Sequence, residues 1–263
     1  MKKIVKIFIA FVLFPGMALH AQRVVMHKDV RTQLLRNSDN EYGPNTRHFF
    51  STFVSYGVIM PVNESDSVAV RENGSSNVFS GGWRYKRRLA EHFGIGLDVL
   101  YMHQSFRIKQ DADKNIFSPG FQNDLQKLSF NTIGLGSYAR LNIGKRGNTI
   151  GKYIDLGGDA HYVFSDRLLT KNTVSPSTNN GAHQAKTSLQ KLDYVAPAQL
   201  FILARIGYNG IALAGRYRFS DIFKTSGDFY GGQKLPELPR IMVSLELTFW
   251  DKDAPEPKND KAD

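Results

Sequence analysis

The sequence predicts an all-β fold, an eight-stranded antiparallel up-and-down β-barrel that spans a membrane. Three observations lead there. Eight runs of about ten residues alternate apolar and polar side chains; the connections between them alternate long and short; charge within the runs keeps to one face. Alternation with period 2 marks strands that bury a single face. An even number of such strands, with long loops at one end and short turns at the other, is the pattern of outer-membrane barrels.

The first run, about Phe49–Met60, sets Phe50, Thr52, Val54, Tyr56, Val58 and Met60 against Ser51, Ser55 and Gly57, with Phe53 as the exception. The second, about Asn77–Arg88, sets Phe79, Trp83 and Tyr85 against Ser80, Arg84 and Lys86. The third, about Gly94–Lys109, sets Ile95, Leu97, Val99 and Tyr101 against Gly96, Asp98 and Gln104. In the fourth, about Leu128–Ile143, Ile133, Leu135, Ala139 and Leu141 oppose Gly134, Gly136, Tyr138 and Arg140. The fifth, about Tyr153–Leu168, puts Asp155, Asp159, His161 and Ser165 on its polar side. The sixth, about Tyr194–Gly207, contains Pro197, which implies a bulge or a loss of pairing there. The seventh, about Ile211–Phe219, carries Arg216 and Arg218, and the eighth, about Arg240–Trp250, carries Ser244, Glu246 and Thr248.

The connections Pro61–Ser76, Gln110–Lys127, Lys171–Asp193 and Ser220–Pro239 are long and polar. Those between them are short; Tyr208-Asn209-Gly210 is the tightest, and Asn-Gly favours a type I′ hairpin. The last run closes on Phe249-Trp250, a terminal aromatic of the kind that barrel-assembly machinery reads.

Outside the runs, Lys2, Lys3 and Lys6 precede an apolar stretch to about Leu19, and Ala21 offers a small residue for cleavage, so residues 1–21 read as a secretory signal. Residues 22–46 lack periodicity and read as a periplasmic segment, 47–250 as the barrel, and 251–263 as a charged, disordered tail. The chain has 263 residues and no cysteine, which excludes disulfides, thiol chemistry and a lipidated cysteine anchor. Aromatics reach 12%, yet mean hydropathy is only −0.32; a membrane barrel reconciles the two, because every second strand residue faces away from lipid. The formal charge is +10, and no motif for nucleic acid accompanies it.

An eight-stranded lumen is filled by side chains. The polar faces would bring Arg84, Lys86, Arg140, Arg205, Arg216 and Arg218 together with Asp98, Asp155, Asp159, His161 and Glu246 in one packed charge network, with no open channel. Asp155, Asp159 and His161 share a face but stand too far apart to hold one metal ion unaided, and neither metal nor cofactor is expected. Gly134-Leu-Gly136 and Gly157-Gly158 lie within runs with no helix following, so they are not phosphate loops. His103 and Ser105 lie at the outer end of the third run, on the lipid side.

His103-Gln-Ser105 resembles the His-x-Ser pair of outer-membrane lipid A deacylases. That resemblance would imply a Ser nucleophile and His base, with Asp124 or Gln126 nearest to supply the orienting group; interfacial residues without chemistry are the other reading. Across its whole alternating span the chain resembles the small outer-membrane barrels of OmpA and OmpX type. More narrowly, Trp83-Arg-Tyr-Lys-Arg-Arg-Leu-Ala-Glu-His-Phe-Gly-Ile-Gly-Leu-Asp98, crossing a short turn, is similar to PorT-like barrels, some of which serve a protein-secretion system. The resemblance implies an outer-membrane location, contact with membrane lipid and the assembly machinery, and a partner in a secretion or envelope complex. The function expected is non-enzymatic and resides in the long loops; a lipid-modifying enzyme and a small channel are the alternatives.

Overall fold

A computed structural model describes residues 43–61, 76–110, 117, 121–144, 149–175, 181–224 and 235–250. The expected signal, most of the segment after it, and the tail lie outside these residues. The described chain is all strand and turn: β1 His48–Met60, β2 Asn77–Arg88, β3 Phe93–Ile108, β4 Leu125–Ile143, β5 Lys152–Thr173, β6 Gln184–Gln190, β7 Ala198–Tyr208, β8 Ile211–Arg218 and β9 Ile241–Phe249. Every pairing is antiparallel. β1 pairs with β2 on one side and β9 on the other, and β4 pairs with β5, so eight strands close into a ring. Closure leaves no unpaired sheet edge around that ring.

The ninth strand was not expected. β6 lies inside the stretch 171–193 that the sequence reads as a loop, and it pairs only with the far end of β5, Arg167–Thr173 against Gln190–Gln184. β3, β4 and β5 run long at the loop end, so together with β6 they raise a sheet beyond the ring. A bulge between Asn131 and Thr132 leaves Phe164 as the extra residue of β5. Beyond it the facing of β5 reverses. Ser165 lies opposite the outward Asn131, not in the lumen as its place in the alternation suggests.

At the other end the turns are short. Asn209 and Gly210 have φ of 46° and 91°, the consecutive left-handed pair of a type I′ hairpin. Pro197, placed within a strand by the sequence, instead stands just before β7; its carbonyl accepts the Val163 amide at 2.8 Å and pairing begins with Ala198. A proline cannot donate to a ladder, so the strand starts after it.

The alternation turns out to separate lumen from exterior almost without exception. Strands β1, β7, β8 and β9 alternate buried and exposed residues along their length. The outward residues are Phe50, Val54, Tyr56, Trp83, Leu97, Val99, Leu135, Leu156, Ile202, Ile206, Leu213, Leu245 and their neighbours, all exposed. The buried residues include ten charged side chains on the strands.

Candidate functional site: the lumen and the raised sheet

The lumen is layered. At the turn end, Phe49, Ile150, Tyr153 and Ala212 form a small apolar floor with Trp250 against it. Residues 43–47 fold beneath: Lys86 Nζ donates to the Pro44 carbonyl, and Arg88 Nη1 donates to the Asn45 carbonyl at 2.6 Å.

Above the floor lies the charge network. Arg84, on β2, gives Nε and Nη2 to the two oxygens of Asp98 on β3, at 2.9 and 3.0 Å, and Nη1 to Glu246 on β9 at 2.7 Å. Arg205, on β7, donates to Asp155 at 2.7 Å and Asp98 at 3.0 Å. Its Nε lies 3.3 Å from Glu246 Oε2, close enough for ion pairing but without a hydrogen bond's alignment. Arg140, on β4, forks onto Asp155 at 2.7 and 2.8 Å. Three guanidiniums and three carboxylates thus share one buried cluster, and Arg205, Asp155 and Glu246 have no exposed surface at all. Paired planar forks of this kind suit Arg and not Lys. Arg216 pairs with Asp159 at 2.9 Å one layer up.

Tyr138 binds this cluster in a way the sequence did not signal. The centres of Arg84, Arg140 and Arg205 lie 5.6, 5.4 and 5.4 Å from its ring. It has room because its direct partner across the sheet is Gly96, whose missing side chain the tyrosine ring fills. Tyr153 lies over Gly207 in the same way, and Arg140 stacks on it at 3.7 Å.

His161 does not join a metal site. Its Nδ1 pairs with Thr132 Oγ1 at 2.9 Å, its ring meets Phe201 edge-on, and the carboxylates at 155 and 159 are taken by arginines. Among the described residues no group of three potential ligands comes together. Gln104 donates to Gln199 at 2.7 Å beside it.

The loop end of the lumen is apolar, a layer that the charge network does not reach. Phe53, Leu100, Met102, Phe106, Phe130 and Phe201 point inward from the wall. Residues of the long connections fold in on them: Phe117, Tyr194, Val195, Ile222, Phe223 and Leu238. Val195 and Phe223 bridge two connections directly. Arg218 holds the lid, with Nη1 on Glu237 at 2.7 Å and Nη2 on the Leu238 carbonyl at 2.8 Å. The inward apolar residues had a signal in the sequence, since runs such as Val99-Leu-Tyr-Met102 break the alternation.

The two residues considered for catalysis do not meet. His103 Nδ1 bonds Asn131 Oδ1 at 2.7 Å. Ser105 is buried between Asn77 and Ser129. Asp124 accepts from the Thr173 amide and hydroxyl, and Gln126 is buried on the opposite face of β4.

No protein-family model and no curated protein matches this chain. A solved structure that resembles it is Ail, the attachment invasion locus protein of Yersinia pestis, in complex with the heparin analogue sucrose octasulfate. The two are 12% identical, over 76% of this chain and 94% of that one, with a TM-score of 0.29. An overlap that low leaves the fold to rest on the chain's own strand register.

Proposed function

We propose that this protein is an integral barrel of the outer-membrane type, with a sealed lumen, that acts without catalysis through its raised sheet and long connections. One observation carries the membrane reading: the barrel is inverted, with ion pairs inside and apolar side chains outside. On β4 the outward apolar positions run from Ile133 to Ile143, which at the usual rise and tilt spans roughly 25 Å, the height of a lipid-facing band. Outward aromatics gather near both rims, Phe79, Tyr101, Tyr162, Phe164 and Phe219 toward the loops and Phe50, Tyr85, Tyr208 and Phe249 toward the turns. Aromatics in those places anchor a barrel at the two interfaces.

Support for a binding role lies in β6. All seven of its residues are exposed, and of the described strands only β5 pairs with it. A free strand edge held clear of the membrane is a surface on which another chain can add a strand. The PorT-like resemblance favours a partner in secretion or envelope assembly. The enzyme reading loses support because His103 is engaged by Asn131 and Ser105 is buried, and the channel reading because apolar side chains close the loop end.

The experiment is extraction of the native protein in mild detergent, crosslinking, and measurement of the size and composition of what travels with it. Co-migration with a large envelope complex is the expected result. A lone monomer, with substitutions on the β6 edge changing nothing in cells, would overturn the partner reading.

A further inference from the structure

The outward face of the raised sheet carries a patch of cations just beyond the loop-end aromatics. Register fixes their positions. Arg107 on β3 lies directly opposite Lys127 on β4, and Lys171 on β5 lies directly opposite Lys186 on β6. Arg167 lies opposite Ser129, one step nearer the ring. All five share the face that carries Tyr101, Ile133 and Tyr162 below, because directly paired residues point the same way and the bulge in β5 has already turned its far half.

Like charges placed directly opposite each other destabilise a sheet unless something neutralises them. Among the described residues no ion pair reaches any of the five. The carboxylates close to them in register are engaged elsewhere: Asp124 with Thr173, and Asp166 on the other side of β5 with the Leu192 amide at 2.7 Å. Below the patch the outward face carries no charge until the turn-end rim, where Arg87 and Lys152 lie. From Ile133 to Ile143 on β4, from Ile95 to Tyr101 on β3 and along all of β1 past His48, no outward residue is ionisable except Tyr56 and Tyr101.

We propose that Arg107, Lys127 and Arg167, extended by Lys171 and Lys186, bind the phosphorylated headgroups of the lipid leaflet at the loop end. This rests on the membrane reading above. The Tyr101 and Phe164 rings, 6.3 Å apart on the same face, mark the rim of the apolar band. The Arg167 and Arg107 rows stand roughly 10–15 Å above it once strand tilt is counted. Long cationic side chains lean toward the interface from that height. Guanidiniums fork onto phosphate oxygens, and lysines add point charge. A surface continuous with the lipid-facing band meets headgroups before it meets a soluble polyanion, which decides between the two.

The test uses the full chain in phosphatidylcholine vesicles with and without a minor fraction of a diphosphorylated glycolipid. Insertion is read by the heat-dependent gel shift of a closed barrel, and lipid retention by native mass spectrometry of protein released into detergent. The neutral triple variant R107Q/K127Q/R167Q should insert as wild type does but retain the phosphorylated lipid on the order of tenfold less at low salt. The charge-keeping variant R107K/K127R/R167K should retain it. Equal retention by wild type and the neutral variant would overturn this proposal while leaving the membrane reading standing. Failure of wild type to insert in either vesicle would instead remove the reading beneath it. Tighter binding of a soluble acidic polymer than of the glycolipid would also overturn it, by assigning the patch to a polyanionic partner.

Discussion

Arg84 Nη1 and Glu246 Oε1 stand 2.7 Å apart across the barrel seam, although 162 residues separate them in sequence. One lies on β2 and the other on β9, and β1 runs between them, with Ser51 opposite Arg84, Ser55 opposite Glu246, and the Arg84 guanidinium 4.4 Å over the inward Phe53 ring. The second and last strands of the ring are therefore clamped across the first by a pair that forms only on closure. Replacing Glu246 with Leu would leave Arg84 and Arg205 short of a carboxylate in a buried site, at a cost of about 3–5 kcal/mol. The paired change Arg84→Met with Glu246→Leu should recover part of that loss. Urea unfolding in lipid vesicles measures both, and a loss below about 1 kcal/mol in the single variant would show that the network does not depend on this carboxylate.

The Tyr138 ring fills the place of a side chain at Gly96. A Cβ added at Gly96 would lie 2.1 Å from the ring, whereas one at Gly215 would meet nothing nearer than 3.9 Å. Gly96→Ala should thus displace the tyrosine from its three arginines and cost about 1–3 kcal/mol, with Gly215→Ala near neutral. Gly207→Ala, against Tyr153, should behave like Gly96→Ala. Equal stabilities for the substitutions at 96 and 215 would refute the packing argument.

These two predictions concern residues the sequence placed by face but not by contact. Arg84, Lys86, Asp98, Arg140, Asp155, Asp159, His161, Arg205, Arg216, Arg218 and Glu246 all lie inside the barrel, since period 2 assigns a face without reference to distant residues. Who meets whom depends on closure. Arg218 goes to Glu237 of a connection, and Lys86 to a backbone carbonyl of residue 44, neither of which alternation can register. β6 was illegible for another reason: Gln184-Ala-Lys-Thr-Ser-Leu-Gln190 buries neither face, so it has no polarity contrast to read. The lid residues Phe117, Ile222, Phe223 and Leu238 sit in short apolar pieces within polar stretches, and only the fold gathers them.

Leu135 tests the membrane band against mere exposure. Its side chain is 65% exposed on the outward face of β4, and Leu189 on β6 is 53% exposed but beyond the band. Leu135→Arg should cost about 2–4 kcal/mol in vesicles, while Leu189→Arg stays within about 0.5 kcal/mol. Similar losses at both positions would argue that position 135 does not face lipid.

Asp124 anchors the start of β4 to the end of β5, accepting from the Thr173 hydroxyl and amide. The bond from the Thr173 hydroxyl, then that from its amide, holds the carboxyl below the ordinary 3.8. A depressed folded value means that the ionised contact favours the folded arrangement above the unfolded value and is lost as pH falls through the folded one. The Thr173 amide proton resonance should therefore titrate with a midpoint below 3.8. Asp124→Asn should abolish that titration, and a midpoint at or above 3.8 would contradict the contact.

Glu237 is the latch on the lumen lid. It accepts from Arg218 Nη1 at 2.7 Å and from the Ile222 amide at 3.1 Å, tying residues 235–240 to the β8 end of the same connection. Glu237→Ala removes both contacts and leaves the Arg218 guanidinium to the Ser220, Leu238 and Pro239 carbonyls. The connection should then become sensitive to added protease in vesicles while the barrel keeps its gel shift, because the ring's own ladders do not involve it. Conductance should stay negligible in both forms, since Phe106 and Phe130 pack edge-on at 5.9 Å across the lumen wall and the arginine–carboxylate layer lies beneath them. A steady, large single-channel current from wild type would show the lumen to be open, and a Glu237→Ala variant as protease-resistant as wild type would show that the lid is held by its apolar residues alone.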